Sequence, residues 1–189
     1  DALREMTDHW SRPGWSDGTR AYYWLLAFRD RPALSALALR CQEELTPLGL
    51  DPVPVEWLHV TLVRAGSPGC VATGQLRRLV ETARTMLPGA FAVRATPLAG
   101  SRGAVRLTLS PWEPLVRLHA GLIAAGTAVG LPAKKPTSVF RPHLSLSYNN
   151  HRREAAPVIE AVAPLRSLPP VELSVADVQL VELRRCGAE

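Results

Sequence analysis

Apolar positions along this chain fall into continuous runs, alternating runs and runs spaced by three and four. Residues 21–28, Ala-Tyr-Tyr-Trp-Leu-Leu-Ala-Phe, are continuously aromatic and apolar, the pattern of a central strand. Pro32 opens a helix in which Leu34, Leu37, Cys41 and Leu45 share one stripe, and the helix ends near Pro47 and Gly49. A strand is expected over 56–63 and a turn from Gly66 to Gly69. Over 72–87, Leu76, Leu79, Val80 and Ala83 line one side of a second helix, stopped by Pro88-Gly89. Strand-like runs at 90–98 and 104–110 flank Ala99-Gly100-Ser101-Arg102-Gly103, a hairpin signal. After Pro111 a third helix runs to about Val129, carrying Leu115, Leu118, Leu122 and Ile123, and Gly130-Leu131-Pro132 ends it. A basic loop over 133–141 leads into a strand at 142–148. A short helix over 153–163 and a last strand, or bent strand pair, over 171–183 complete the order. Residues 1–20 have no clear period and read as an ordered arm or loop, whose Trp10 and Trp15 cover the core or line a pocket. Helices interleaved with strands predict an α+β fold. Its sheets are covered by helices on one face and free to meet across a cleft on the other.

The strands at 56–63 and 142–148 repeat one pattern. Leu58-His59-Val60-Thr61-Leu62 and Pro142-His143-Leu144-Ser145-Leu146 each place a histidine and a hydroxyl two positions apart inside an apolar run. Strand side chains alternate faces, so His59 and Thr61 share one face while Leu58, Val60 and Leu62 take the other. His143 and Ser145 against Leu144 and Leu146 do the same, and two such strands can bring two histidines to one substrate. His9-Trp10-Ser11 also matches the bare pattern, but the Arg12-Pro13-Gly14 behind it is turn chemistry. The competing reading is a pair of strand histidines, each hydrogen-bonded at a sheet end.

Histidine accepts or donates a proton near neutral pH. Two facing histidines make an acid–base pair, one taking a proton from the nucleophile and the other giving one to the leaving oxygen. Thr61 and Ser145 supply neutral hydroxyl donors for non-bridging phosphate oxygens. Such a site cleaves a phosphodiester without a metal. A zinc site wants a third ligand, and nearby Glu56, at the start of the strand, is a candidate. A Gly-x-Ser-x-Gly elbow is absent. The stretch from Gly130 to Ser138 lacks the Gly-Lys-Ser/Thr of an ATP-binding loop.

Composition narrows this further. A hydrophobic content of 47% in 189 residues supports one domain, or two small lobes, with a real core. No apolar run approaches the ~20 residues of a membrane helix. No basic-then-apolar segment opens the sequence, which leaves secretion unsupported. Cys41, Cys70 and Cys186 are odd in number and far apart, and predict buried thiols in a reducing cytoplasm. The net charge of +5 is carried by arginines, with Lys134 and Lys135 the only lysines. Arginine binds phosphate through two parallel hydrogen bonds, so the charge leans toward an anionic partner.

The two motifs, embedded as Leu-His-Val-Thr-Leu and Arg-Pro-His-Leu-Ser-Leu, resemble the 2H phosphoesterase superfamily. The nearest branch is the bacterial 2′-5′ RNA ligase and cyclic phosphodiesterase group. The resemblance covers about residues 20–183. It implies a single bilobal domain over 1–189, with 1–20 as an arm. Two antiparallel sheets with helices on their outer faces would flank a central cleft in pseudo-twofold symmetry. It implies His59 and His143 as the acid–base pair and Thr61 and Ser145 as phosphate holders. The chemistry implied is metal-independent and cofactor-free, on 2′,3′-cyclic phosphates or 2′-5′ linkages. The partner is an RNA 3′ end or a small cyclic nucleotide phosphate, and the protein a cytoplasmic monomer. The other function class is a nucleotide- or RNA-binding module with little turnover. The chain departs from the branch in one respect: Arg64 follows the first motif and Tyr148 the second, where relatives often have the aromatic first and the arginine second. Strict alternation puts both on the face away from the histidines. They stand as candidates for phosphate binding and base stacking, joined by Arg141, two places before His143, and Tyr23 on the first strand.

Overall fold

Apolar runs become strands where turn residues bound them, and the stripes spaced by three and four become helices. The computed structural model describes residues 3–11, 13–132 and 135–186. In chain order the elements are β1 (Glu5–Met6), β2 (Arg20–Ala27), α1 (Pro32–Leu45), β3 (Asp51–Pro52), β4 (His59–Gly66), α2 (Thr73–Met86), β5 (Phe91–Gly100), β6 (Ala104–Ser110), α3 (Glu113–Ala128), β7 (His143–Tyr148), β8 (Arg153–Glu154), α4 (Ala156–Val162), β9 (Val171–Val175) and β10 (Gln179–Arg184). The first motif strand starts later than expected because Pro54 opens a 3-10 turn over Val55–Trp57. The helix expected over 153–163 is shortened because Arg153 and Glu154 pair with Met6 and Glu5. The last apolar stretch divides at Ala176-Asp177-Val178, and its two strands enter different sheets.

The sheets are antiparallel. Besides the two-stranded pair β1-β8, one has the order β10-β2-β4 and the other β3-β7-β6-β5-β9. Helices α1 and α4 pack on the five-stranded sheet, while α2 and α3 pack on each other and α3 on β4. The chain thus crosses between sheets: α1 follows β2 yet covers the other sheet, and α3 follows β6 yet covers the strand β4. Helices α2 and α3 come very close. A Cβ on Gly121 would stand 2.7 Å from the Met86 carbonyl oxygen, so only glycine fits. Trp24, Leu26, Val60 and Leu62 of one sheet join Val105, Leu107, Leu109, Leu144 and Leu146 of the other in one apolar core. Each of these residues removed from water contributes about 1.5–3 kcal/mol of transfer free energy.

The three cysteines are free, but only Cys41 is buried; Cys70 and Cys186 are exposed, which corrects the expectation of buried thiols. Burial pushes the Cys41 thiol up to about 11, so it stays protonated at neutral pH. No helix among the described residues is long and apolar enough to cross a membrane.

Candidate active site

The two motif strands meet: β4 packs against β7 at the seam between the sheets. Their apolar residues all feed the single core, so their polar residues lie together on the side that the helices do not cover. His59, His143 and Ser145 are half-buried there, and Thr61 is exposed.

Both histidines are held in the same way. Nδ1 of His59 lies 2.7 Å from the carbonyl oxygen of Trp57. Nδ1 of His143 lies 2.8 Å from the carbonyl oxygen of Arg141. A carbonyl only accepts, so each Nδ1 carries the hydrogen and each neutral ring keeps its lone pair on Nε2. The acceptor is two residues upstream in both cases. A 3-10 turn, Val55–Trp57 or Thr137–Val139, precedes each strand and aims that carbonyl. An arginine lies over a tryptophan beside each: Arg29 over Trp57 at 5.4 Å and Arg141 over Trp112 at 5.7 Å.

The residues beyond the motifs are placed by irregular strand pairing. On β4, Thr61 pairs with Leu25, but Val63, not Leu62, pairs with Trp24. On β7, Ser145 pairs with Arg106, and Ser147, not Leu146, pairs with Val105. Each motif strand therefore carries an extra residue at the last leucine of its motif, and β4 carries a second at Ala65, past Arg64. An extra residue reverses the alternation that follows it. Arg64, opposite Tyr23, returns to the face of His59 and Thr61. Tyr148, opposite Ala104, returns to the face of His143 and Ser145. This corrects the strict alternation that sent both to the far side. The second bulge is pinned from its other edge, where the Leu146 carbonyl accepts hydrogen bonds from the Val53 amide and the Gln42 side chain, both at 2.8 Å.

The other candidates are placed differently. Tyr23 shares the face of Arg64 and meets Trp15 edge-on at 6.1 Å. The Arg141 guanidinium bonds the carbonyls of Ser138 and Phe140 as well as covering Trp112, so the side chain is turned to its own loop. Its backbone carbonyl is what touches the site. Tyr148 is stacked by His9, ring centroids 3.8 Å apart, with Trp10 edge-on at 5.2 Å. The arm is tied down there: the Trp10 indole donates to Asp51 at 2.6 Å, and Arg185 bonds the Trp10 and Trp15 carbonyls. His9, which the sequence places in the arm ahead of a turn, thus walls one end of the motif face. Lys134, in the basic loop, lies outside the described residues.

Sequence reasoning missed the neighbours of β7. Thr108 pairs with His143 and Arg106 with Ser145, so both sit beside the motif on the open face. The signal was the alternation over 104–109, where Val105, Leu107 and Leu109 are core and the residues between them are not. The pairing of β6 with β7 was needed to give it meaning. Among the described residues no three potential metal ligands come together.

This arrangement, two motif strands at the seam of two antiparallel sheets with helices behind, is the fold of the 2H phosphoesterases. The model of the 2′-5′ RNA ligase superfamily matches residues 29–186, and the chain belongs to that superfamily. Among solved structures, a protein described as a phosphoesterase aligns with a TM-score of 0.63 at 17% identity, over 86% of each chain. The LigT protein of E. coli, in complex with 3′-AMP, aligns at 0.59 and 16% identity over 89% of this chain and 96% of its own. The protein TT0787 of Thermus thermophilus aligns at 0.58 and 23% identity, over 85% of this chain and 86% of its own. No protein with a curated description matches the chain. Membership places the protein with phosphoesterase-type enzymes.

Proposed function

We propose that the protein is a metal-independent phosphodiesterase that opens 2′,3′-cyclic phosphates, or acts on 2′-5′ linkages, of RNA ends or small nucleotides. The observation that carries this is the matched locking of the two histidines: each Nδ1 is bonded to a main-chain carbonyl two residues upstream, on a strand where a hydroxyl shares the histidine's face. Support comes from the superfamily match and from a structural neighbour that binds 3′-AMP.

One histidine, neutral, takes a proton from water through Nε2, and the water oxygen attacks phosphorus. The bond from phosphorus to one ribose oxygen breaks, and the other histidine, which enters protonated on Nε2, gives that proton to the oxygen. Thr61 and Ser145 donate hydrogen bonds to the non-bridging oxygens. Run with a 5′-hydroxyl in place of water, the same steps join two ends. The ring strain of the cyclic ester drives the step, and no nucleotide cofactor enters. A reducing, cytoplasmic setting belongs to the same proposal, consistent with three unpaired thiols.

The test is turnover of a 2′,3′-cyclic nucleotide panel, free and at an RNA 3′ end, in EDTA. His59→Ala and His143→Ala are each expected to lower kcat by about 10²–10⁴-fold. Chelator-sensitive turnover would overturn the metal-free mechanism. A folded wild type that binds these ligands without turning them over would make the protein a binding module instead.

A further inference from the structure

We propose that Arg106 is the anion-binding residue of this site and seats the substrate's phosphate against its Ser145 half. The proposal rests on the phosphodiester reading of the site but names a residue and a polarity which that reading lacks. From Val105 onward strand β6 alternates: Val105, Leu107 and Leu109 are fully buried in the core, so Arg106 and Thr108 face the motif side. Arg106 stands opposite Ser145, one strand spacing of ~4.8 Å away, within reach of a guanidinium lying across the sheet.

Two other strand arginines are paired with acids. Arg94 bonds Glu172 on the neighbouring strand at 2.8 Å, and Arg20 bonds Glu182 at 2.5 Å. Arg106 has Ala99 on one side and Ser145 on the other, and among the described residues it makes no ion pair. It is nonetheless half-buried, and burial alone holds its guanidinium below the usual arginine range. A partly desolvated cation without a counter-charge costs stability, and a bound anion removes that cost. In the mirror half no arginine stands across from the motif; Arg64 lies beyond it on the motif strand itself, opposite Tyr23. The residues opposite Thr61 and His59 are Leu25 and Ala27. Leu25 is buried and apolar, and brings no charge to the motif face. The strand beside the second motif thus offers a cation where the strand beside the first offers aliphatic side chains. Phosphate charge is held on the β6–β7 side.

The experiment compares the full chain with Arg106→Met and Arg106→Lys. Inorganic phosphate is titrated by calorimetry and by thermal shift, and opening of a 2′,3′-cyclic nucleotide is measured on the same samples. Losing a charge-assisted contact predicts ~10–100-fold weaker phosphate binding in Arg106→Met. KM should rise by a similar factor, with a smaller change in kcat and partial recovery in Arg106→Lys. Without phosphate, the melting temperature of Arg106→Met should equal or exceed that of the wild type. Equal phosphate affinity in wild type and Arg106→Met overturns the proposal, as does a wild type that binds no phosphate. A lower melting temperature with unchanged affinity shows a structural arginine instead. If the wild type binds phosphate through Arg106 yet opens no cyclic ester, the anion site stands and the reaction reading falls.

Discussion

His59 and His143 are prepared by a hydrogen bond that no side chain supplies. Each Nδ1 donates to a main-chain carbonyl two residues upstream, which settles the tautomer without a carboxylate partner. This separates the ring's structural nitrogen from its chemical one. Asparagine places an amide near the Nδ1 position and has nothing at Nε2. His59→Asn and His143→Asn are therefore expected to keep stability within about 0.5 kcal/mol of wild type, yet to lose turnover as fully as the alanine variants. Denaturant unfolding beside steady-state kinetics checks this, and residual turnover above a tenth of wild type would count against the Nε2 assignment. At this scale the sequence was informative. Histidine, spacer, hydroxyl inside an apolar run specified which four side chains share a face. Arg106 was not legible, because its meaning lies in its cross-strand neighbour Ser145, and pairing is a long-range fact.

Elements were foreseen within a few residues wherever proline or glycine bounded them, as for α1 behind Pro32 and α3 behind Pro111. The facing of Arg64 and Tyr148 was not foreseen, because a bulge carries no composition signal. Its extra residue in each motif strand is an ordinary leucine, Leu62 or Leu146. The loop before β7 shows how a helix steadies this region. His119 on α3 is buried, bonds the Thr137 hydroxyl at 2.9 Å and stacks on Phe140, so it holds the turn that aims the Arg141 carbonyl. Burial lowers its pKa below the ordinary histidine value. The unfolded chain then binds more protons than the folded one as pH falls through ~6.5, so stability declines from above neutrality down to the folded-state pKa and levels off below it. Unfolding free energies at pH 7.5 and 5.5 should differ less in His119→Gln than in the wild type. An equal difference in both would place the acid sensitivity elsewhere.

The two sheets share one core, and their polar faces share one open side. Fold class was readable from the interleaving of helices and strands, but the crossing of the chain between sheets was not. It depends on which sheet each helix covers, and amphipathic stripes do not name their partners. That crossing has a consequence for the two halves of the chain. Cut between Gly89 and Phe91, the first half would own β2 and β4, and the second would own β5, β6, β7 and β9. Yet α1 and β3 of the first half belong to the second half's sheet, and α3 and β10 of the second belong to the first's. Each half lends the other a helix and a strand, as two hands clasp. Neither is a lobe that can stand alone, although each carries a complete motif. Fragments 3–89 and 90–186, expressed separately, should lack cooperative unfolding. Mixed together, they should recover it with one transition, read by circular dichroism and size exclusion. A first fragment that folds unaided would show the exchange to be ornamental. The symmetry of the site is thus one of mutual loan, in which two copies of a motif became dependent on a shared interior.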